Sequence, residues 1–522
     1  MERTNNTIKT INYMIVITLV GKLMGLYRDR LIAVTFGTAM EANAFLTASL
    51  IPRVFFDVIF ASAITSCFIP IFNEYYERDG EKRAFFFAHS FITAVLVATV
   101  ALTLVGTACS GALVGFYGEG FDVATASLCR QLLIYLFPTV VFTGVAFAFV
   151  GVLQSLGEFN VPAAISIVSN GIIILYFFLF GDRFGVYGLT VAFLLGWLGQ
   201  AVVQIPSLKK KGYVYRPRSF LHESGMKKVF LLMAPVMVST WVQPVNISVA
   251  SHFASFLYEG SGASAIQYAN NLYTVLIGVI VLSITNVIFP KMAKLSADND
   301  EKGFTEVVSV SIRSVIFLLI PLTVGTMVLS GEAVNLLYGG GEFDAFSLEI
   351  TKNALFWLSI GMLGYGVQAV LTRAFFAAQK GKAPLIAGCA AILVNVLFCV
   401  VFVQWMGLGG LALASSAASI VNAAFLWVPI QKRYGGLWSK ANAVSYLKMV
   451  VSALVMGAVV GVLRHVIVLE PGTYTVVKLG VFLGETLTGV IVYMLMTKLL
   501  RVEEAVFVFQ KLRKNRKDGN EK

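Results

Sequence analysis

Apolar stretches of roughly 20 residues, separated by short polar loops, recur along the whole chain. A helix of that length crosses about 30 Å of hydrocarbon, so each stretch is expected to be a membrane-spanning α-helix. The apolar runs predict spans near residues 9–34, 43–72, 84–109, 127–155, 159–181, 185–207, 229–256, 265–290, 305–330, 348–377, 384–404, 409–430, 443–467 and 475–499. The pattern therefore predicts an all-α polytopic membrane protein with fourteen transmembrane helices and no large soluble domain.

The composition agrees with a membrane protein. Hydrophobic residues make up 57% of the chain and charged residues only 13%, whereas soluble domains carry about 25% charged residues. The five cysteines stand singly in or beside apolar segments, without the spacing of a metal or redox site. They are expected to be small packing residues.

Basic residues lie in alternate loops. They cluster within residues 78–83, 209–228, 291–302, 380–382, 432–440 and 501–522. Cytoplasmic loops are enriched in Lys and Arg, so both termini are predicted to be cytoplasmic. Arg183, Arg464 and Lys478 are the exceptions on the opposite side. The net charge of +12 thus reflects membrane orientation, and no nucleic-acid partner is expected.

Landmarks of the first half return in the second half in the same order. The matched pairs are Val105-Gly106-Thr107 with Val324-Gly325-Thr326, Ser110-Gly111 with Ser330-Gly331, Tyr117-Gly118 with Tyr338-Gly339, Phe121-Asp122 with Phe343-Asp344, Pro162 with Pro384, and Gly185 with Gly407. The offset stays at about 220 residues over six spans, and this collinear order favours duplication over coincidence. Because each copy holds six spans, both copies begin on the same side and the repeats are parallel.

The duplication predicts two six-helix lobes around a central cavity, an arrangement found in secondary transporters. The predicted boundaries are 1–225 for the N-lobe with spans one to six, 226–436 for the C-lobe with spans seven to twelve, 437–500 for two appended spans, and 501–522 for a basic cytoplasmic tail. Spans thirteen and fourteen lie outside the repeat.

Ionisable residues are concentrated in the first two spans. These spans include Lys22, Arg28, Asp29, Arg53 and Asp57, whereas the equivalent spans seven and eight carry uncharged polar groups such as Asn270 and Asn271. A charge at mid-membrane is unfavourable by at least about 2.5–3.5 kcal/mol, so these side chains are expected to face a cavity or a partner. The spacing puts Lys22 with Asp29, and Arg53 with Asp57, on one helix face. Such a cationic face would attract an anionic substrate, and arginine suits phosphate through its bidentate fork.

Structural interpretations of the same residues stay open. The segment 28–30 is also consistent with an internally paired group at the outer interface. Arg53 and Asp57 are consistent with an ion pair that only holds span two. Glu485, in the appended spans, is a candidate for a lipid-tail groove, and a hydrogen-bonded or protonated structural glutamate is its alternative.

The sequence contains no enzyme signature. It has neither a G-x-x-x-x-G-K-[ST] phosphate loop nor an H-E-x-x-H metal motif. No catalytic residue, resident metal or cofactor is therefore expected. Without an ATPase module, a transporter of this kind would draw on a coupling ion such as Na⁺ or H⁺, on the membrane potential, or on the gradient of its own substrate.

Several motifs occur in an order that identifies a family. They are Gly25-Leu26-Tyr27-Arg28-Asp29, Phe68-Ile69-Pro70-Ile71-Phe72, Leu153-Gln154-Ser155, Phe253-Ala254-Ser255-Phe256-Leu257 and Leu371-Thr372-Arg373-Ala374-Phe375. Together they resemble the MurJ/MviN lipid II flippases of the multidrug/oligosaccharidyl-lipid/polysaccharide exporter superfamily. The resemblance covers nearly the whole chain.

This resemblance implies fourteen helices in two lobes plus a final pair, in a bacterial inner membrane. It implies a flippase that moves undecaprenyl-pyrophosphate-linked peptidoglycan precursor to the outer leaflet by alternating access. By similarity, the basic span-one residues that bind substrate in this family correspond to Arg28, with its acidic neighbour Asp29, and to Lys22. A groove reaching the last two helices would hold the polyprenyl tail among membrane lipids. A monomer is expected.

The chain also departs from the family pattern. Where many members carry an Arg-Arg pair in span two, the chain reads 54–57 as Val-Phe-Phe-Asp; where they carry Asp-Arg in span eight, it has Asn270 and Asn271; and the usual aspartate before Ala44 is Asn43. These losses keep two cargoes open: lipid II bound differently, or another polyprenyl-linked oligosaccharide of polysaccharide or O-antigen type. A cation-coupled multidrug exporter of the same superfamily is a further alternative.

Overall fold

The computed structural model describes residues 2–56, 67–221, 223–231, 242–435, 437, 439–467, 475–506 and 510, and the structure within these ranges is predominantly α-helical. The first nine helices are α1 (Glu2–Phe36), α2 (Met40–Phe56), α3 (Ile69–Arg78), α4 (Glu81–Ala108), α5 (Ser110–Tyr117), α6 (Val123–Leu136), α7 (Thr139–Ser155), α8 (Asn160–Val202) and α9 (Ile205–Lys210). The next nine are α10 (Val242–Ser255), α11 (Ser261–Ala297), α12 (Glu301–Val328), α13 (Ser330–Tyr338), α14 (Ala345–Ala377), α15 (Lys382–Met406), α16 (Leu408–Tyr434), α17 (Lys440–Val466) and α18 (Thr475–Leu499).

Eleven helical segments within the described ranges are long and apolar enough to cross a membrane. They correspond to predicted spans three to six and eight to fourteen. In the three other predicted spans, α1 is interrupted by charged side chains, while residues 57–66 and 232–241 lie outside the described ranges. The number fourteen therefore stays a prediction, and the all-helical polytopic fold is confirmed.

Many large apolar side chains point away from the helix packing. Leu104, Leu393, Trp405 and Leu487 are among the most exposed of them, and each lies on a membrane-spanning helix. Exposure of so much apolar surface to water would be unfavourable, whereas contact with apolar lipid tails is favourable. The exposed surface of these helices is therefore the face that meets lipid.

The chain packs into two compact units. The first contains residues 1–267 and 340–347, and the second contains residues 268–339 and 348–522. Packing places α10 in the first unit, where it contacts α2 and α5. The lobe boundaries derived from the repeat are a different division of the chain and stay a prediction.

In the second unit, the last two helices pack on α12. Met456 of α17 and Tyr493 of α18 share an apolar cluster with Phe317 of α12, and the Tyr493 hydroxyl donates a 2.9 Å hydrogen bond to the Phe317 carbonyl. The segment after α18 joins the same cluster, because Val502 and Ala505 are buried in it. Two ion pairs hold this segment, since Arg313 of α12 contacts both Glu503 and Glu504.

The repeated sequence landmarks adopt the same local structure in both halves. In each, a long helix that ends just after the Val-Gly-Thr motif is followed by a short helix that begins at the Ser-Gly motif. The pairs are α4 with α5 and α12 with α13. Each short helix ends at a buried tyrosine, Tyr117 or Tyr338, whose hydroxyl is hydrogen-bonded. The motif therefore encodes a specific helix–turn–helix geometry.

The repeated aspartates are helix caps. Asp122 accepts hydrogen bonds from the backbone amides of Ala124 and Thr125 at 3.0 and 3.4 Å, and Asp344 accepts one from the amide of Ser347 at 2.7 Å. Hydrogen bonds from Thr125 and from Ser347, respectively, hold the pKa of each carboxyl below its usual value. Aspartate suits this position because its side chain satisfies amides that the first helical turn leaves unpaired.

The repeated glycines break long helices. Gly185 inside α8 has a φ of 50°, and Gly407 between α15 and α16 has a φ of 54°. Glycine reaches this left-handed region without a steric penalty. Each glycine thus reverses the chain between two predicted spans without a longer loop. A break at Pro138 similarly divides the predicted span 127–155 into α6 and α7.

A loop after α9 lies along the first turns of α4. The Tyr213 hydroxyl is 3.0 Å from Nδ1 of His89, and the amide of Arg218 donates to Thr93 Oγ1 at 3.2 Å. Burial raises the pKa of the Tyr213 hydroxyl. At the end of the loop, Glu223 pairs with Arg83 through both carboxylate oxygens. The described residues of this loop are therefore packed against α4.

Replacing Glu223 by Ala is expected to destabilise the first unit. The Glu223 side chain is 3% exposed and that of Arg83 is 30% exposed, so the loss is about 1–3 kcal/mol, below the value for a fully buried pair. Thermal unfolding of the purified protein in detergent measures it. The exposed Glu77→Ala serves as the control, and equal melting temperatures for both variants would contradict a structural pair.

Candidate functional site

Two glycines bring α1 close to α8. A Cβ atom at Gly21 would lie 2.4 Å from Ser166 Oγ, and one at Gly25 would lie 3.5 Å from Asn170 Nδ2. The Asn170 amide donates a 3.1 Å hydrogen bond to the carbonyl of Gly21. Small residues four apart allow helices in a membrane to approach closely and exchange polar contacts. This glycine seam positions the next residue on the same face, Arg28.

The Arg28 side chain ends in a cluster of three partners. Its Nε and Nη2 atoms donate to Asp29 Oδ1 at 3.0 and 2.6 Å, and Nη1 donates to Asn170 Oδ1 at 3.0 Å. The guanidinium carbon lies 5.5 Å from the centre of the Phe193 ring. We call Arg28, Asp29, Asn170 and Phe193 the Arg28 cluster.

The cluster is electrically balanced and only partly closed. Asp29 is buried, whereas the Arg28 side chain keeps 23% of its surface exposed. A guanidinium has five N–H donors, and the three hydrogen bonds above leave two that no described residue accepts. Because the pair is neutral, it can persist in apolar surroundings. The two remaining N–H groups of Arg28 can donate hydrogen bonds to an anionic oxygen.

Of the other predicted residues of the first two spans, the structure describes Lys22 and Arg53. Lys22 is half-buried on α1 and makes no ion pair with any residue that the structure describes. Arg53 is exposed in the last turn of α2. Asp57 lies outside the described residues. The roles of all three in substrate binding stay predictions.

The remaining candidates belong to the second unit. Asn270 and Asn271 are half-buried on α11, and no described residue hydrogen-bonds to the Asn270 side chain. Glu485 on α18 is 2% exposed and faces the protein interior. Its predicted place in a lipid-tail groove stays a prediction.

Asn43, which departs from the family pattern, has a structural use in the first unit. Its Nδ2 donates to the Thr38 carbonyl at 2.9 Å, and its Oδ1 accepts from the Ser264 amide at 3.2 Å. An ionised aspartate has no N–H and cannot make the first of these bonds. The amide therefore joins the turn before α2 to the start of α11.

A polar cavity of about 500 Å³ lies in the second unit. Its lining includes Asp300, Glu301, Lys380 and Arg433, which belong to the loops and helix ends where basic residues cluster. None of the predicted site residues lines it. The cavity is therefore separate from the candidate positions on α11 and α18.

Sequence reasoning missed Asn170 and Phe193. The glycine seam offered a signal, since Gly21 and Gly25 have the spacing of a helix-packing motif. An asparagine within an apolar span was a second signal. Their pairing with Arg28 joins residues 142 positions apart, which spacing within one helix cannot reveal.

Solved structures of polytopic membrane transporters share this fold. A lipid II flippase MurJ solved in an inward closed conformation matches with a TM-score of 0.79 at 24% identity, covering 93% of this chain and 98% of that chain. An inward-facing multidrug resistance MATE transporter of the MOP superfamily matches with a TM-score of 0.69 at 14% identity, covering 81% and 98%. At these identities the likeness establishes the fold alone.

The sequence narrows this class to one family. The family model described as lipid II flippase MurJ matches residues 32–483, so the chain belongs to that family. A probable lipid II flippase MurJ of Vibrio cholerae serotype O1 is 29% identical over 422 residues, 78% of this chain and 80% of the relative. The lipid II flippase MurJ of Burkholderia cenocepacia is 26% identical over 424 residues, 80% and 82%. The chain is a multi-pass protein of the bacterial inner membrane, in a family of transporters and not of catalysts.

Replacing Gly21 by Val is expected to force α1 away from α8. The added methyl groups meet Ser166, and overpacking of this kind is unfavourable by about 1–3 kcal/mol. Thermal unfolding measures the loss against Gly115→Val, because a Cβ at Gly115 meets no atom within 4 Å. Partial recovery in Gly21→Val with Ser166→Ala would support the contact. Equal stability of the two valine variants would contradict a close seam.

Proposed function

We propose that this chain is a lipid II flippase that moves undecaprenyl-pyrophosphate-linked peptidoglycan precursor from the inner to the outer leaflet by alternating access. The family match over residues 32–483 carries the proposal. The names of the Vibrio and Burkholderia relatives support the same cargo. The likeness to multidrug transporters rests on a shared fold and favours no second cargo.

Arg28 is the residue we infer to bind the pyrophosphate. Its two remaining N–H donors suit phosphate oxygens, which guanidinium groups bind through paired hydrogen bonds. Asp29 balances the charge of Arg28 while no cargo is bound. The same carboxylate competes with phosphate for the guanidinium, so binding stays reversible. A carrier needs this balance because it must release what it binds.

The other candidate residues fit supporting roles. Lys22 would add positive charge on α1, and Arg53, with Asp57, would add a polar group at the end of α2. Asn270 and Asn271 would offer neutral hydrogen bonds where other family members place charges. Glu485 would lie near the path of the lipid tail.

We further infer that the protein works as a monomer, without catalysis or a resident cofactor. The cycle would draw on a Na⁺ or H⁺ gradient or on the membrane potential. Its partners would be the lipid-linked precursor and the surrounding membrane lipids.

Complementation tests the cargo. Expression of the chain in cells depleted of their own lipid II flippase is expected to restore growth and the accessibility of lipid II in the outer leaflet. Membrane abundance is measured by immunoblot in the same cells. Failure of a well-expressed protein on both readouts would reject lipid II and favour another polyprenyl-linked oligosaccharide.

Replacing Arg28 by Ala is expected to abolish complementation while the protein stays in the membrane, because the substitution removes the two donors proposed for phosphate. Arg28→Lys is also expected to lose most activity, since an ammonium group lacks the planar fork. The control is Arg183→Ala, which removes an exposed arginine of the same unit. Full growth with Arg28→Ala would contradict phosphate binding by Arg28 and indicate a purely structural role.

A further inference from the structure

Three ionisable side chains lie on three helices of the second unit that pack together. Glu332 lies on α13, Arg464 in the last turn of α17, and Glu485 on α18. Arg464 pairs through Nε with Glu332 Oε1 and donates from Nη1 to the Val328 carbonyl at 2.9 Å. The short helix α13 packs directly on α18.

Two carboxylate oxygens of this group are buried and unsatisfied. Oε2 of Glu332 and Oε2 of Glu485 have no hydrogen-bond partner among the residues that the structure describes. Glu485 is 2% exposed, and the charges that act on it are those of Glu332 and Arg464. A buried ionised carboxylate without a partner is strongly unfavourable. The group therefore needs something that its own side chains do not supply.

The charges of the group do not balance. Two carboxylates face one guanidinium, which leaves one negative charge. Nearby Lys352 of α14 is already paired with Glu349 at 2.8 Å. On α12, the basic side chain Arg313 is held by the segment after α18. Lys478 lies two turns before Glu485 on α18, about 10 Å along the helix axis, and pairs with no described residue.

We propose that Glu332, Arg464 and Glu485 form a proton-binding site, in which the two carboxyl groups jointly hold one proton and Arg464 balances the remaining charge. The proton cancels the excess charge and lets one carboxyl act as a donor. A metal ion fits less well, because the guanidinium repels cations and only two carboxylates are present. No cluster of three or more potential metal ligands occurs in the part of the chain that is described.

The site joins the two appended helices to the rest of the second unit. Arg464 and Glu485 belong to the appended pair, whereas Glu332 belongs to the short helix of the repeat. Loss of the proton at alkaline pH leaves a buried negative charge at this junction. The packing of α17 and α18 then weakens as pH rises. This behaviour concerns the protein itself and is independent of the cargo.

Infrared difference spectroscopy on the purified wild-type protein detects the proton. A carbonyl band of a protonated carboxylic acid is expected at neutral pH and is expected to disappear at alkaline pH. Glu485→Gln and Glu332→Gln should both lack it, because either change lets Arg464 balance the remaining carboxylate. Glu306→Gln, which removes an exposed carboxylate elsewhere in the second unit, should retain it. A band retained in Glu332→Gln or in Glu485→Gln, or no band in the wild type, would overturn the shared proton.

Thermal unfolding provides the second measurement. The wild-type melting temperature is expected to fall between neutral and alkaline pH by more than that of Glu485→Gln, which cannot ionise. Spectra recorded with sodium and with choline as the only monovalent cation test the nature of the ligand. Loss of the carboxylic-acid band in sodium at neutral pH would identify a cation and reject the proton. An equal fall in both melting temperatures would also reject it.

Discussion

An ionised side chain in apolar surroundings must either meet an opposite charge or lose its own. This constraint accounts for several ion pairs among the described residues of the helices. Arg28 lies against Asp29, Arg313 against Glu503 and Glu504, and Arg464 against Glu332. The Arg313 and Arg464 pairs each join a helix to another segment, whereas Arg28 and Asp29 are neighbours on α1. The functions proposed here depend on hydrogen-bond donors and charges that these pairs do not satisfy.

Much of the fold could be predicted from the sequence, because the length of the apolar segments indicates which helices span a bilayer and the charge of the loops indicates their orientation. The eleven long apolar helices lie where the hydrophobic runs predicted them. The repeated motifs also had a physical content: Asp122 and Asp344 are helix caps, and Gly185 and Gly407 adopt a left-handed backbone. These features depend on interactions between residues that are close in sequence, and such interactions can be predicted from the sequence alone.

Features that depend on contacts between distant segments were not predictable in this way. The candidate residue Arg28 was identified from its charge, but its partner Asn170 was not, since the two are 142 positions apart. Glu485 was recognised as unusual, and only the packing of α13 against α18 shows which charges surround it. Arg464, an exception to the loop-charge pattern, is explained by the same neighbours.

The packing of the segment that follows α18 has a practical consequence for tagging the protein. Val502 and Ala505 belong to an apolar cluster, and Glu503 and Glu504 are bound to Arg313. A fluorescent reporter fused directly after the last membrane helix would therefore remove contacts that hold α12, α17 and α18 together. Fusion beyond residue 510 leaves them in place.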